Sequence, residues 1–322
     1  MKGLQEALAA GEKVRGTTSP NPPVGCAIVS ADGNVIAVAG TSPVGGAHAE
    51  INALRQAGDK ARHATAVVTL EPCNHTGRTG PCSHALAAAG IARVVYLTAD
   101  PNPAASGGAD YLRGRGVEVI HVPTEVCALQ PWLTSLRHAR VSVTAKFAAT
   151  VDGFTAAPDG TSQWITGPTA REHVHADREK RDAIIIGTGT AISDNPSLTA
   201  RNTDGTLRAR QPRRVVVGKR RVPEGNLTRL GFEQYETPEE AMRALWETGA
   251  RDVLVEGGAS LLGSFFKLNV VDRVQAYLAP MILGGGRAVV EQALTPTLAD
   301  ATRFRTSQVT QLGNDILIEM ER

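Results

Sequence analysis

The sequence predicts an α/β protein of two domains. Apolar, β-branched runs alternate with helical patterns, which argues for a mostly parallel sheet covered by helices. A second such series begins at Val141, and 322 residues are enough for two separate cores. In the first half the elements run in order. Lys2–Ala10 is a short amphipathic helix, with neither the apolar core nor the cleavage site of a signal peptide. Val24–Val29 is a continuous apolar strand holding Cys26 as a core thiol, and Val35–Gly40 is the next. His48–Ala57 has helical spacing. Ala66–Leu70, Arg93–Leu97 and Val117–Val122 are short apolar strands, separated by helices at Ser83–Ala89 and Ala109–Arg115. Pro81 before the first of these helices and Gly90 after it follow the usual asymmetry of helix ends.

The second half predicts strands at Val141–Lys146, Ala183–Ile186, Arg214–Val217, Val253–Val255 and Val274–Leu278. Helices are expected at Thr169–Asp177, Pro238–Glu247 and Ser260–Leu268. Alternation in Gln308–Leu312 and Ile316–Met320 around Gly313-Asn314-Asp315 predicts a closing hairpin. The domain boundary is expected in Gln130–Arg140, dividing the chain into 1–140 and 141–322.

Composition excludes several classes. A net charge of +2 and 4% aromatic residues supply neither the basic stripe nor the stacking rings of a nucleic-acid surface. No apolar stretch approaches membrane-spanning length. Four cysteines without a disulfide framework fit a reducing compartment, so a cytoplasmic location is expected.

Chemistry concentrates in His48-Ala49-Glu50, Glu71-Pro72-Cys73 and Pro81-Cys82. One imidazole and two potential thiolates suit Zn²⁺, and three protein ligands leave a fourth position for water, as in catalytic sites. Glu50, two residues past the imidazole, suits a proton shuttle. H-x-E followed by P-C…C is the pattern of zinc deaminases of nucleobases and nucleotides. Here eight residues separate Cys73 from Cys82 where two are usual. A purely structural site would use four protein ligands. His63, His121 and His138 lack ligand spacing.

Three glycine-rich places remain. Gly187-Thr188-Gly189-Thr190 lacks the third glycine of a dinucleotide fingerprint and fits a turn as well as a phosphate cradle. Glu256-Gly257-Gly258-Ala259, between a strand and a helix, could bring backbone N–H groups to an anion or simply make a tight turn. Gly284-Gly285-Gly286-Arg287 is expected to be a mobile loop.

Taken together, the chain resembles the bifunctional deaminase/reductase family of riboflavin biosynthesis over nearly its whole length. The resemblance rests on Asn21-Pro22-Pro23-Val24-Gly25, His48-Ala49-Glu50, the run Thr69–Cys82 with its long insertion, and Asp100-Pro101-Asn102-Pro103. It continues in Lys146–Gly153, Ser162-Gln163-Trp164-Ile165-Thr166, Asp194–Thr199 and Val255-Glu256-Gly257-Gly258. It implies a cytidine-deaminase-like three-layer domain followed by a dihydrofolate-reductase-like domain. The first would deaminate a diamino-ribosylamino-pyrimidinone phosphate with zinc, and the second would reduce the ribosyl group to ribityl with NADPH.

Carried over residue by residue, zinc would be held by His48, Cys73 and Cys82, with Glu50 catalytic. Asn21, His75 and Arg78 would meet the first substrate. Ser162, Arg178, Leu198, Arg201 and Glu256 would surround the second, the two arginines gripping its phosphate. Ala148, Trp164, Thr190, Asp194 and the stretch Gly258, Ala259, Ser260, Leu261, Leu262, Gly263 and Ser264 would contact NADPH. Lys146 would touch the sugar. The family's aspartate and serine after the Val215–Val217 strand are replaced by Gly218 and Lys219, and Lys219 could reach the cofactor's ribose phosphate. Partners are small pyrimidine ribosyl phosphates, and the resemblance implies a homodimer through the reductase domain.

Overall fold

Apolar β-branched runs become the strands of a five-stranded and an eight-stranded sheet in the computed structural model, which describes residues 1–75 and 80–322. The chain divides into Met1–Leu133 and Thr134–Arg322.

In the first unit, strands β1 (Gly25–Val29), β2 (Val35–Gly40), β3 (Thr65–Val68), β4 (Arg93–Tyr96) and β5 (Glu118–His121) form a sheet of order β2-β1-β3-β4-β5. β1 is antiparallel to both its neighbours, whereas β3, β4 and β5 are parallel. Four strands therefore point one way and one runs against them inside the sheet. The expected sheet was mostly parallel; the one reversed strand, β1, was not foreseen. The link from β1 to β2 is a turn closed by the Ser30 N–H to Asn34 carbonyl bond, with Gly33 at φ 83°, too short for the crossover a parallel pair needs.

Helices α1 (Leu4–Val14), α2 (Ala49–Ala57), α3 (Cys82–Ala88) and α4 (Gly108–Gly114) accompany this sheet. Ala7 of α1 packs with Ala27, Val29, Val67 and Val95. α1 lies so close to β1 that a Cβ on Gly25 would fall 1.9 Å from the Ala7 carbonyl oxygen. By strand alternation Cys26 faces the other way, where Glu50 of α2 bears on it.

The division between the units falls inside α5 (Gln130–His138), a helix the sequence reading missed. Pro131 sits in its first turn, where the missing N–H costs nothing.

The second unit is built on an eight-stranded sheet. Its strands are β6 (Ser142–Thr150), β8 (Ala183–Gly187), β9 (Arg213–Val217), β10 (Glu233–Tyr235), β11 (Asp252–Glu256), β12 (Arg273–Ala279), β14 (Arg305–Leu312) and β15 (Asp315–Glu321). The order is β10-β9-β8-β11-β6-β12-β15-β14. All pairs from β10 through β12 are parallel, and the β14–β15 hairpin adds two antiparallel ladders. Val143, Ala145, Ile185, Val215, Val253 and Val255 build one core with Leu245 and Phe265. Ile184, Ile186 and Val216, on the alternate face, pack with Leu198, Val222 and Leu227.

Five helices connect these strands: α6 (Pro168–Arg178), α7 (Thr188–Asp194), α8 (Asn226–Leu230), α9 (Pro238–Glu247) and α10 (Ala259–Lys267). α9 starts where the Thr237 side chain accepts from the Glu240 N–H at 3.2 Å. The segment Gly187–Thr190 is the end of β8 and the start of α7, not a free turn. Gly284–Arg287 is not simply a loop either. Arg287 opens β13 (Arg287–Ala288), which pairs with β7 (Phe154–Ala156). Gly286, at φ 132°, comes so near Ala156 that an added Cβ would lie 2.1 Å from its carbonyl oxygen.

Candidate functional site

β2 and β3 point the same way, so the loops leaving their carboxyl ends meet. The first carries His48 to the N-cap position of α2. Asn52, on that helix, donates through Nδ2 to the Gly40 carbonyl at 3.0 Å, Ser42 Oγ at 2.9 Å and the Ala47 carbonyl at 3.3 Å, which fixes the loop. The second carries Cys73. Its neighbour Glu71 accepts from the Gly107 and Ala109 N–H groups at 3.2 and 3.1 Å, and Asn74 Oδ1 accepts from Ser83 Oγ at 2.8 Å. These bonds hold the Cys73 loop against α3 and α4. The sequence reading assigned nothing to Asn52 or Glu71.

Cys82 opens α3, and its backbone N–H points at Cys73 Sγ, 3.4 Å away. His48 Nδ1 lies 3.6 Å from Cys73 Sγ and 3.3 Å from Cys82 Sγ, and the three donor atoms fall within 4.8 Å of one another. Tetrahedral zinc with ordinary Zn–S and Zn–N bonds places sulfur and nitrogen about 3.6 Å apart. The donor set and its spacing therefore fit zinc, and among the described residues no fourth His, Cys, Asp or Glu joins the cluster.

Glu50 stands beside it, only 4% exposed. Burial, then the charge of Cys73, push its carboxyl up to about 7, against the opposing pull of His48 and Cys82. The Cys73 thiol is held down by the hydrogen bond from Cys82 and by His48, while Cys82 is pushed up by that same bond and by burial. Hydrogen bonding to Cys73 raises His48 despite burial. The site thus combines soft ligands with a buried carboxyl able to exchange a proton near neutral pH.

Asn21 lies in the loop before β1, where its N–H donates to the Thr18 carbonyl at 2.9 Å. His75 is exposed, and its charge bears on Asp100, whose carboxyl is raised mainly by burial. Arg78 falls outside the described residues.

In the second unit the parallel strands bring the Lys146 and Glu256 registers together on β6 and β11. Arg178, at the end of α6, grips Glu256 with both Nε (2.7 Å) and Nη2 (2.8 Å), and its Nη1 donates to the Thr199 carbonyl at 3.1 Å. Lys146 Nζ lies 3.6 Å from Glu256 and 5.4 Å from the Tyr277 ring centroid. Burial alone would push the Glu256 carboxyl up, but Arg178 and Lys146 outweigh it and hold it at about 2. Burial lowers Lys146. Arg178 is thus first a partner of Glu256, which the sequence reading did not see. Three of its five N–H donors are used, and two remain for an anion.

Arg201 is exposed, yet with Arg178 it lowers His175, after burial. The Leu198 side chain is buried with Ile184, Ile186 and Val216, so contact with a ligand would come from its backbone, which is at φ 49°. Ser162 is exposed; Trp164 is 66% exposed and lies under the Arg171 guanidinium at 4.5 Å, so it is not a core aromatic.

Ala148 is half-buried on β6, opposite Tyr277. Gly258 caps α10, whose first residues are Ala259 and Ser260 and whose core-facing residues include Leu261, Leu262 and Gly263. The Gly258 N–H donates to Thr190 Oγ1 at 3.1 Å, so the loops after β8 and β11 are joined. Ser264 turns back on its own helix, donating to the Ser260 carbonyl, and Asp194 is exposed at the end of α7. Lys219, the expected ribose-phosphate contact, instead pairs with Glu236 at 3.1 Å.

Residues 141–318 match the model of the RibD C-terminal domain, and residues 2–98 match the cytidine and deoxycytidylate deaminase zinc-binding region. The chain belongs to the RibD family of riboflavin biosynthesis proteins. It is 57% identical over 309 residues to the riboflavin biosynthesis protein RibD of Corynebacterium ammoniagenes, covering 94% of this chain and 92% of that one. Identity to the Escherichia coli RibD is 35%, covering 98% of each chain. A solved deaminase/reductase from Thermotoga maritima superposes with a TM-score of 0.87 at 31% identity, covering 98% of this chain and 97% of that one. A deaminase-type zinc-binding domain followed by a RibD reductase domain makes this a bifunctional deaminase/reductase of the riboflavin pathway. No described helix is long and apolar enough to cross a membrane.

Proposed function

We propose that the N-terminal unit hydrolytically deaminates diaminohydroxyphosphoribosylaminopyrimidine and that the C-terminal unit then reduces 5-amino-6-(5-phosphoribosylamino)uracil with NADPH. The observation that carries the first step is the convergence of His48, Cys73 and Cys82 around a buried Glu50. Zinc bound there supplies Lewis acidity that makes water nucleophilic near neutral pH. Glu50 accepts one proton of the attacking water and passes it to a pyrimidine ring nitrogen; it then takes the remaining hydroxyl proton of the substrate adduct and gives it to the amino group, which leaves as ammonia as the carbonyl forms. Its raised pKa matches a group that must both take and give a proton. In this reading Asn21, His75 and Arg78 contact the pyrimidine ribosyl phosphate.

For the reductase, NADPH supplies the hydride. The α10 N-terminus at Gly258–Ala259, tied to Thr190, suits its pyrophosphate, with Ala148, Trp164 and Asp194 along the same cofactor. Lys146 and Glu256 hold the sugar, and the two spare donors of Arg178, with Arg201, hold the substrate phosphate. Ser162 and the Leu198 backbone complete that pocket.

Zinc-loaded protein given the pyrimidine substrate should release ammonia without any nicotinamide cofactor, and should oxidise NADPH only after that release. NADPH oxidation with no ammonia released would defeat the assignment of the first unit. The reading includes a homodimer paired through the reductase units. Light scattering at micromolar concentration should give twice the chain mass, and a monomer would refute the pairing.

A further inference from the structure

We propose that Arg220 recognises the 2′-phosphate on the cofactor's adenine ribose and thereby selects NADPH over NADH, an inference that rests on reading the second unit as an NADPH reductase. Because β8, β9 and β11 are parallel, the segments leaving their carboxyl ends lie along one edge of the sheet. From β11 the chain enters Gly257-Gly258 and α10. From β8 it enters Thr188-Gly189-Thr190, joined to Gly258 through the Thr190 hydroxyl at 3.1 Å. From β9 it enters Gly218-Lys219-Arg220.

This last segment is pressed onto the start of α7. Gly218 sits at φ 128°, and a Cβ there would fall 2.7 Å from Thr188 Oγ1, so only glycine fits. Its N–H donates to the Tyr235 carbonyl at 2.8 Å. Gln234 Nε2 donates to the carbonyls of both Gly218 and Arg220, at 2.7 and 2.9 Å. The backbone around Arg220 is thereby fixed, and its guanidinium reaches across the helix start. Arg220 Nη2 lies 3.2 Å from where a Cβ on Gly189 would stand. A dinucleotide with its pyrophosphate at Gly258 and its adenosine running toward β9 would pass Thr190 and Gly189 and meet this cation.

Lys219 is a poorer candidate, because Glu236 at 3.1 Å offsets its charge and would repel a phosphate. The Arg220 guanidinium has no hydrogen-bond or ion-pair partner among the described residues, so its donors are available, whereas the Lys219 ammonium has one. Arg220, on an anchored backbone, supplies positive charge at the rim formed by the segments leaving β8 and β9.

The test is equilibrium binding to the full-length protein, comparing NADPH with NADH by nicotinamide fluorescence, and 2′,5′-ADP with 5′-ADP by isothermal titration calorimetry. The wild type should prefer the 2′-phosphorylated ligand of each pair. Arg220→Ala should weaken NADPH and 2′,5′-ADP by about ten- to a hundredfold, the worth of a charge-assisted phosphate contact, while NADH and 5′-ADP change little. Arg220→Lys should recover part of the loss, and Lys219→Ala and Arg221→Ala should keep the preference. If the wild type prefers NADPH and Arg220→Ala keeps that preference, or if Arg221→Ala abolishes it, Arg220 is not the selector although the NADPH reading stands. A wild type without preference overturns both.

Discussion

Arg178→Ala separates a structural duty from a binding one. The guanidinium makes two short bonds to Glu256 and one to the Thr199 carbonyl, in a place where Glu256 has Lys146, at 3.6 Å, as its other cation. Without Arg178 a buried carboxylate loses its main partner. Glu256 is held at about 2 against an ordinary 4.5. That difference corresponds to about 3 kcal/mol, in line with roughly 3–5 kcal/mol for breaking a buried ion pair. Because the folded pKa is depressed, this stability is present above pH 4.5 and is lost as pH falls toward 2. Because Lys146 stays and accounts for part of the depression, calorimetry should show the C-terminal unit of Arg178→Ala destabilised at pH 7 by at most about 3 kcal/mol, with a flatter acid limb than the wild type. Ammonia release should continue. A variant with wild-type stability and an unchanged acid limb, but weaker binding of the reductase substrate, would show that Arg178 serves the phosphate alone.

Three further outcomes are expected. Cys82→Ser should lose most of its zinc by metal analysis, and unchanged stoichiometry would remove Cys82 from the ligand set. Glu50→Gln should keep zinc but deaminate about 10²- to 10⁴-fold more slowly, with reduction of the deaminated intermediate intact; normal ammonia release would contradict the proton-shuttle role. At Gly108 a Cβ would fall 1.8 Å from the Pro72 carbonyl oxygen, next to Cys73. Gly108→Ala should therefore cost roughly 1–3 kcal/mol of stability in the first unit and weaken zinc retention, and a chelator competition showing wild-type retention would count against this coupling.

The metal cluster was legible because its chemistry is written in residue type and short spacing: His48 with Glu50, and Cys73 and Cys82 each after a proline. What holds it was not. Asn52 and Glu71 look like ordinary helix and loop residues until folding brings backbone carbonyls and N–H groups to them. Strand direction was also hidden, since hydrophobic alternation is the same read either way, and only the short turn at Ser30–Asn34 reverses β1. The Arg178–Glu256 pair joins residues far apart in the chain and depends on the end of α6 lying against the end of β11. α7 escaped notice because two of its flanking and early residues are glycines, which weigh against a helix by propensity alone.

Arg181, just past α6, binds Asp177 at 2.9 Å and Asp252 at 2.8 Å, and is only 2% exposed. Asp252 is the first residue of β11 and Glu256, bound by Arg178, is the last. The tail of α6 is therefore tied to both ends of one strand, by a fork from Arg178 to Glu256 and by a single bond from Arg181, itself forked onto Asp177, to Asp252. Any hinging of this helix against β11 would have to break both ion pairs and leave buried charges unpaired, a cost of roughly 3–5 kcal/mol for each, so the two elements form one stiff unit.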